Sequence, residues 1–214
     1  MTDQTTRPSG TIVVSGTGRV AVAPDIAELR LGVAIARPTV DAARAAAAEA
    51  MAAILGAVTD AGVARRDVRT TLLSVQPRYD YRDGKAPTLT GYDLADVVEV
   101  TVRDLTALGP VVDGALTAGA TSLDGLTFRV DDPREAERAA RMAAFAEARS
   151  RAEVLAVAAG VSIAGVADIV EGGPPPAWPQ AKAARMMVAA EASTPVEAGS
   201  TEIAVTVTVT FRIA

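Results

Sequence analysis

The last eleven residues of regular pattern impose the strongest constraint on this chain. Ile203, Val205, Val207, Val209, Phe211 and Ile213 alternate with Ala204, Thr206, Thr208, Thr210 and Arg212. Successive strand side chains point to opposite faces, so this run puts its large apolar groups on one face and mainly hydroxyls on the other. Such a strand is half buried: it needs a packed layer on one side and tolerates water on the other. The fold must therefore contain sheet that is covered on one face.

The same period of two recurs near the start. Leu29, Leu31, Val33 and Ile35 alternate with Arg30, Gly32, Ala34 and Ala36. A β-rich run from Thr11 to Val22, broken by Gly16 and Gly18, precedes it. Ala23-Pro24-Asp25 reads as a turn, which predicts a hairpin between the two strands. Val68–Arg78 and Tyr92–Arg103 read as a second hairpin around a polar loop, and Ser122–Val130 and Val166–Glu171 as single strands.

Three segments have helical spacing instead. Val40, Ala43, Ala47, Met51, Ile54, Leu55 and Val58 form one stripe, with Thr39 as N-cap and Gly62 just past the end. Asp104 is placed to cap a short helix carrying Leu105, Leu108, Val111, Val112 and Leu116. Asp132-Pro133-Arg134-Glu135 supplies an acceptor, a proline at the first helical position and a glutamate at the third. The helix that follows ends at Gly160, with Met142, Phe145, Ala152, Leu155, Ala156 and Ala159 expected on its buried stripe. The order is ββ-α-ββ-α-β-α-ββ, which predicts an α+β fold of mainly antiparallel sheet with helices on one face. Two related lobes are compatible with that order. Residues 1–10 read as a tail, 11–214 as one domain, and 173–199 as a long Pro-rich arm in which 181–192 has helical character.

Composition restricts the chemistry. The chain of 214 residues contains no cysteine and no histidine. Thiolate nucleophiles, disulfides and a Ser-His-Asp triad are excluded, and the commonest metal ligand and general base are missing. Aromatic residues make up 3%, so the core is built from Ala, Val, Leu and Ile. The net charge of −5 and the absence of a basic run argue against nucleic acid. The first ten residues, MTDQTTRPSG, are polar and do not read as a signal peptide, and no run of about 18 apolar residues suggests a membrane span. From these features the chain is expected in the cytoplasm.

Four motifs invite functional readings. Ser15-Gly16-Thr17-Gly18 resembles a phosphate loop, but it runs into a strand and lacks the Lys-Ser/Thr pair, so a bulge or a close backbone approach fits better. Asp80, Asp83, Asp93 and Asp96 near one hairpin end could hold Ca²⁺ or Mg²⁺ through oxygen; their spacing is not that of an EF-hand, and Asp83-Gly84 is ordinary turn chemistry. Trp178 with Met186, Met187 and Val188 reads as a helix folded onto its own core, as a subunit contact, or as a lipid-surface segment. Tyr79 and Tyr81, flanked by Arg78 and Arg82, read as a contact surface or as cross-strand partners. No cofactor, metal or catalytic residue is assigned. The candidate self-association residues are Trp178, Met186, Met187, Val188, Tyr79 and Tyr81.

The chain also resembles the SIMPL-domain family, a bacterial domain of unknown function that includes a periplasmic immunogenic antigen. Val14–Gly18 followed by Pro24–Ala27 is similar to that family's N-terminal signature. Thr70–Tyr79, Gly91-Tyr92, Val100–Leu105, Gly119–Phe128, Ala139–Ala159 and Thr194-Pro195-Val196 continue the match over about residues 11 to 213. The resemblance implies an α+β fold, large homo-oligomers that include ring- or channel-like assemblies, and in some members a link to oxidative-stress tolerance; many members are exported, which makes the periplasm the alternative location, and an animal relative acts in kinase signalling as an interaction partner. It carries over no catalytic residue. The expectation is a non-enzymatic self-assembling protein with an interaction role. A small-molecule or lipid-binding protein is the first alternative, and an enzyme using carboxylates, Lys, Tyr or Ser the second.

Overall fold

The computed structural model describes residues 10–81, 86–172 and 196–214. The strands are β1 (Thr11–Val22), β2 (Ile26–Arg37), β3 (Val68–Asp80), β4 (Thr88–Val102), β5 (Ser122–Arg129), β6 (Ile163–Glu171) and β7 (Thr201–Ile213). The helices are α1 (Val40–Asp60), α2 (Leu108–Thr117) and α3 (Arg134–Ala159), with 3-10 turns at Arg65–Asp67 and Leu105–Ala107. This is the α+β order expected from the periodicity. All strand pairs are antiparallel.

The chain divides into two compact units. The first contains β1, α3, β6 and β7, with sheet order β1-β7-β6. The second runs from Pro24 to Asp131 and has sheet order β3-β4-β2-β5. The expected β1–β2 hairpin is therefore wrong. β1 pairs along its whole length with β7, from Thr11↔Arg212 to Val22↔Thr201, while β2 pairs with β4 and β5. Pro24 leads from one sheet into the other rather than turning a hairpin.

In the second unit, α1 and α2 lie on one sheet face. Thr39 caps α1 by accepting the Ala42 N–H at 3.3 Å, as expected. Ala43, Ala47, Met51, Ile54 and Val58 pack with Leu29, Leu31, Val33, Leu94, Val98, Val100, Leu108, Val111 and Ala115 into one core. α1 is long and apolar enough to cross a bilayer by length and composition. Its buried stripe nevertheless packs on sheet, as in the core helix of a globular unit. Asp104 accepts from Thr106 N at 3.0 Å and so caps the 3-10 turn, not α2, which begins at Leu108.

In the first unit α3 packs on β1 and β7. The buried stripe is Ala140, Ala144, Ala148, Ala152 and Ala156. This corrects the expected stripe: Met142 is 69% exposed and Leu155 49%. The reason lies in β1. A Cβ at Gly16 would overlap the Ala144 carbonyl and the Ala148 nitrogen, and one at Gly18 the Ala140 carbonyl. Backbone meets backbone there, and only alanine fits on the facing helix turn after turn. Phe211, Val209 and Val207 complete this core, with Phe145 against Phe211 at 6.4 Å between ring centres. Pro133 is already in helical conformation, and Asp132 accepts the Arg134 N–H at 3.2 Å while pairing with its guanidinium. The acceptor role expected of Asp132 is thus present. Gly160 closes the helix with φ 69°, a left-handed conformation that favours glycine.

Candidate functional site

The glycine motif of β1 is not a phosphate cradle. Gly16 and Gly18 lie beneath α3, and the Thr17 N–H donates to the Glu147 carboxylate. That anion occupies the place a phosphate would need. On the opposite sheet face, the hydroxyls of Ser15 and Thr208 (2.9 Å) and of Thr17 and Thr206 (3.1 Å) pair across the strands.

Asp93 and Asp96 do not converge. Asp93 points to the outer sheet face and lies 3.7 Å from Arg78. Asp96 follows the parity of Leu94 and Val98, so it points toward the helix-bearing face, level with Val33 on β2 and Leu73 on β3. Its Oδ1 is buried without a hydrogen-bond partner, and this burial pushes its carboxyl above the usual range. Asp83 lies outside the described residues. Among the described residues no group of three His, Cys, Asp or Glu is placed to hold a metal ion.

A cleft of about 210 Å³ opens in the second unit beside Gly62, Val63, Asp67, Val102, Arg103 and Asp104. Two of its charged residues, Arg103 and Asp67, pair with each other. Arg103 donates from Nε to Asp67 at 3.0 Å and from Nη1 to Asp131 at 2.5 Å. These bonds, Asp131 first and Asp67 second, drive the guanidinium further above its ordinary range. Asp25 joins the network, accepting the Asp131 N–H at 2.7 Å and donating its own N–H to the Arg129 carbonyl at 3.1 Å. The network clasps the first and last segments of the unit.

The remaining feature is the β3–β4 arm. α1 rests on β2 and β4, and among the described residues no helix covers the exposed Leu73 and Val75 of β3. Along β3, Leu73, Val75, Pro77 and Tyr79 share the helix-bearing side by alternation. Leu73 is 68% exposed, and Val75, Tyr79 and, across on β4, Leu89 are exposed too. β3 and β4 pair past the end of β2, through Tyr79↔Leu89 and Asp80↔Thr88. Tyr79 and Tyr81 were expected as contact residues; both are exposed at this tip, tilted against each other with ring centres 6.3 Å apart. Tyr79 belongs to the strand, not to the loop expected from its sequence. Leu72, Leu73 and Val75 were missed. Their clue was a run of strand residues with apolar groups on both faces, unusual for a strand at a sheet edge. Trp178, Met186, Met187 and Val188 lie outside the described residues.

Comparison with known proteins places this architecture. Residues 12–211 match the family described as SIMPL, protein of unknown function (DUF541). The chain belongs to the SIMPL family. SIMPL relatives include the 26 kDa periplasmic immunogenic protein of Brucella melitensis, 37% identical over 98% of this chain and 86% of that protein. The uncharacterized protein YggE of Escherichia coli K12 is 37% identical over 68% of this chain and 58% of its own length. YggE of Edwardsiella ictaluri is 31% identical over 71% and 64%. The cytoplasmic expectation is corrected here: it conflicts with relatives named as periplasmic at this level of identity over almost the whole chain.

Proposed function

We propose that this SIMPL protein is a non-catalytic, self-assembling protein of the periplasm, and that its copies meet through the apolar side of the β3–β4 arm. The observation that carries the reading is the uncovered row Leu73, Val75 and Tyr79 with Leu89, extended at the tip by Tyr81. Exposed large apolar groups in a contiguous row mark contact surfaces. Aromatic residues are enriched at the cores of such contacts. The contact uses side chains rather than strand pairing, because β3 carries a bulge between Thr70 and Leu72 and a proline at position 77, both of which blunt an edge. Two further observations support a role without chemistry: the cleft's Arg103 is bonded to Asp67 and to neighbouring Asp131, and the Thr17 N–H of the glycine motif is taken by Glu147. The periplasmic location rests on the Brucella relatives' names. No described residue bears on a stress role, and none is part of the reading.

Light scattering coupled to size-exclusion chromatography tests it. The parent protein is expected to elute as several protomers at micromolar concentration, and Leu73→Lys with Val75→Lys to shift it toward one. A parent that runs as a single protomer, or a double variant with unchanged mass, overturns the reading.

A further inference from the structure

Sheet edges are templates for another strand, and folded proteins close them with bulges, prolines, charges or covering elements. Four edges occur in the two described sheets: β1 and β6 in one, β3 and β5 in the other. Three of them are irregular. β3 has its bulge and Pro77, β6 shifts register between Ile163 and Gly165 and again between Val166 and Asp168, and β5 shifts against β2 between Glu28 and Arg30. β1 differs. It runs for 12 residues with no proline and pairs with β7 in unbroken register. By local backbone geometry it is the edge best suited to accept a strand.

Its edge is met by α3 instead. The odd residues of β1 turn their backbone groups away from β7. Of these, Thr17 donates its N–H to Glu147 Oε2, and the Ser15 carbonyl accepts from Arg151 Nη1 at 2.8 Å. Glu147 and Arg151 are four residues apart on α3 and also pair with each other. One helical turn thus presents an acceptor to a strand donor and a donor to a strand acceptor, as an incoming strand would. The close approach that makes this reach possible depends on Gly16, which lies between the two bonded residues beneath Ala144 and Ala148.

We propose that Glu147 and Arg151 form a guard over β1, holding shut an edge that otherwise accepts an extended strand from a second copy of this chain. The guard is distinct from the arm contact. Association through the arm joins folded copies by side chains, whereas an opened β1 edge pairs backbone and grows into continuous sheet.

The test compares the full-length parent with Glu147→Ala/Arg151→Ala. A control, Arg149→Ala/Glu153→Ala, deletes an equivalent pair on the same helix that, among the described residues, makes no bond to β1. In the guard variant the Thr17 amide is expected to exchange with deuterium on the order of tenfold faster. The variant is also expected to form thioflavin-positive, sheet-extended assemblies on agitation, while parent and control do not. Arm-mediated oligomers give no thioflavin signal, so failure of the arm reading leaves this readout intact. A guard variant that keeps its circular dichroism spectrum and resists growth as the parent does overturns the proposal, even if Thr17 exchange quickens. If the double variant unfolds, Arg151→Ala alone decides: it frees the Ser15 carbonyl and removes the Glu147 ion pair, but leaves Glu147 in place to accept from Thr17. Faster growth with a native spectrum supports the guard, and growth at the parent's rate overturns it.

Discussion

Gly16 and Gly18 have no side chain where α3 crosses β1, and a methyl group at either would meet helix backbone. Backbone cannot give way as a flexible side chain can. Gly18→Ala is therefore expected to destabilise the protein by about 1–3 kcal/mol, the range for overpacking a tight contact. Urea unfolding followed by circular dichroism checks this; Gly56→Ala on α1, where a Cβ meets open space, is the matched control and is expected to be neutral or stabilising. Asp96 makes a different residue-scale case. Its folded pKa is raised by burial alone, so the folded state holds the proton more readily than the unfolded chain. The ionised form is the one that opposes folding. Its penalty is absent below the unfolded pKa and grows as pH rises through the folded value. Asp96→Asn is expected to remove this pH dependence and to stabilise the protein at neutral pH relative to acid, measured as the difference in melting temperature between the two conditions. Burying Leu73 in a contact between copies desolvates Asp96 further, so arm-mediated assembly is expected to strengthen as pH falls.

At the scale of elements, α3 shows how a helix start is secured. Asp132 takes the Arg134 N–H and its guanidinium, which lowers its pKa to about 2. The depressed value means that the carboxylate stabilises the fold fully above its ordinary pKa. This contribution is lost as pH falls toward about 2. Asp132→Ala is expected to lower the melting temperature at pH 7 and to have a smaller effect near pH 2, as thermal scans at the two pH values would show. The start of α1 and the stop of α3 were legible because caps are local: Thr39 and Gly160 act within a few residues of themselves, whereas Asp104 caps a 3-10 turn and α3 has Pro133, one residue past Asp132, at its cap position. The buried stripe of α3 was not legible. Met142 and Leu155 are larger and more apolar than the alanines that displaced them. The choice was made by Gly16 and Gly18, which lie more than 100 residues earlier and press backbone against that helix face.

For the whole molecule, the proposed contact between copies is separable from the stability of one copy. Leu73 and Val75 are exposed on an uncovered strand, so replacing both with lysine is expected to change unfolding free energy by no more than about 0.5 kcal/mol per site while abolishing assembly. Denaturant melts at a concentration where the parent is dissociated, set beside the light-scattering masses, distinguish the two effects. If the double variant loses several kcal/mol, the row is part of a protomer's own packing and the arm reading falls. The exposed apolar row proposed as a contact was legible in part: Tyr79 and Tyr81 are aromatics at a hairpin tip, but the exposure of Leu73 and Val75 depends on where α1 comes to rest.

The sequence by itself determined the succession of elements and the α+β class, because periods of two and 3.6 and the residues that cap and break them act over a few positions. It also excluded thiol and imidazole chemistry, since those side chains are missing from the chain. Strand partnership was decided only by tertiary structure. β1 satisfies its alternation equally well beside β2 or beside β7, and the choice between neighbours 4 and nearly 200 residues away rests on which sheet can seat α3 over its two glycines.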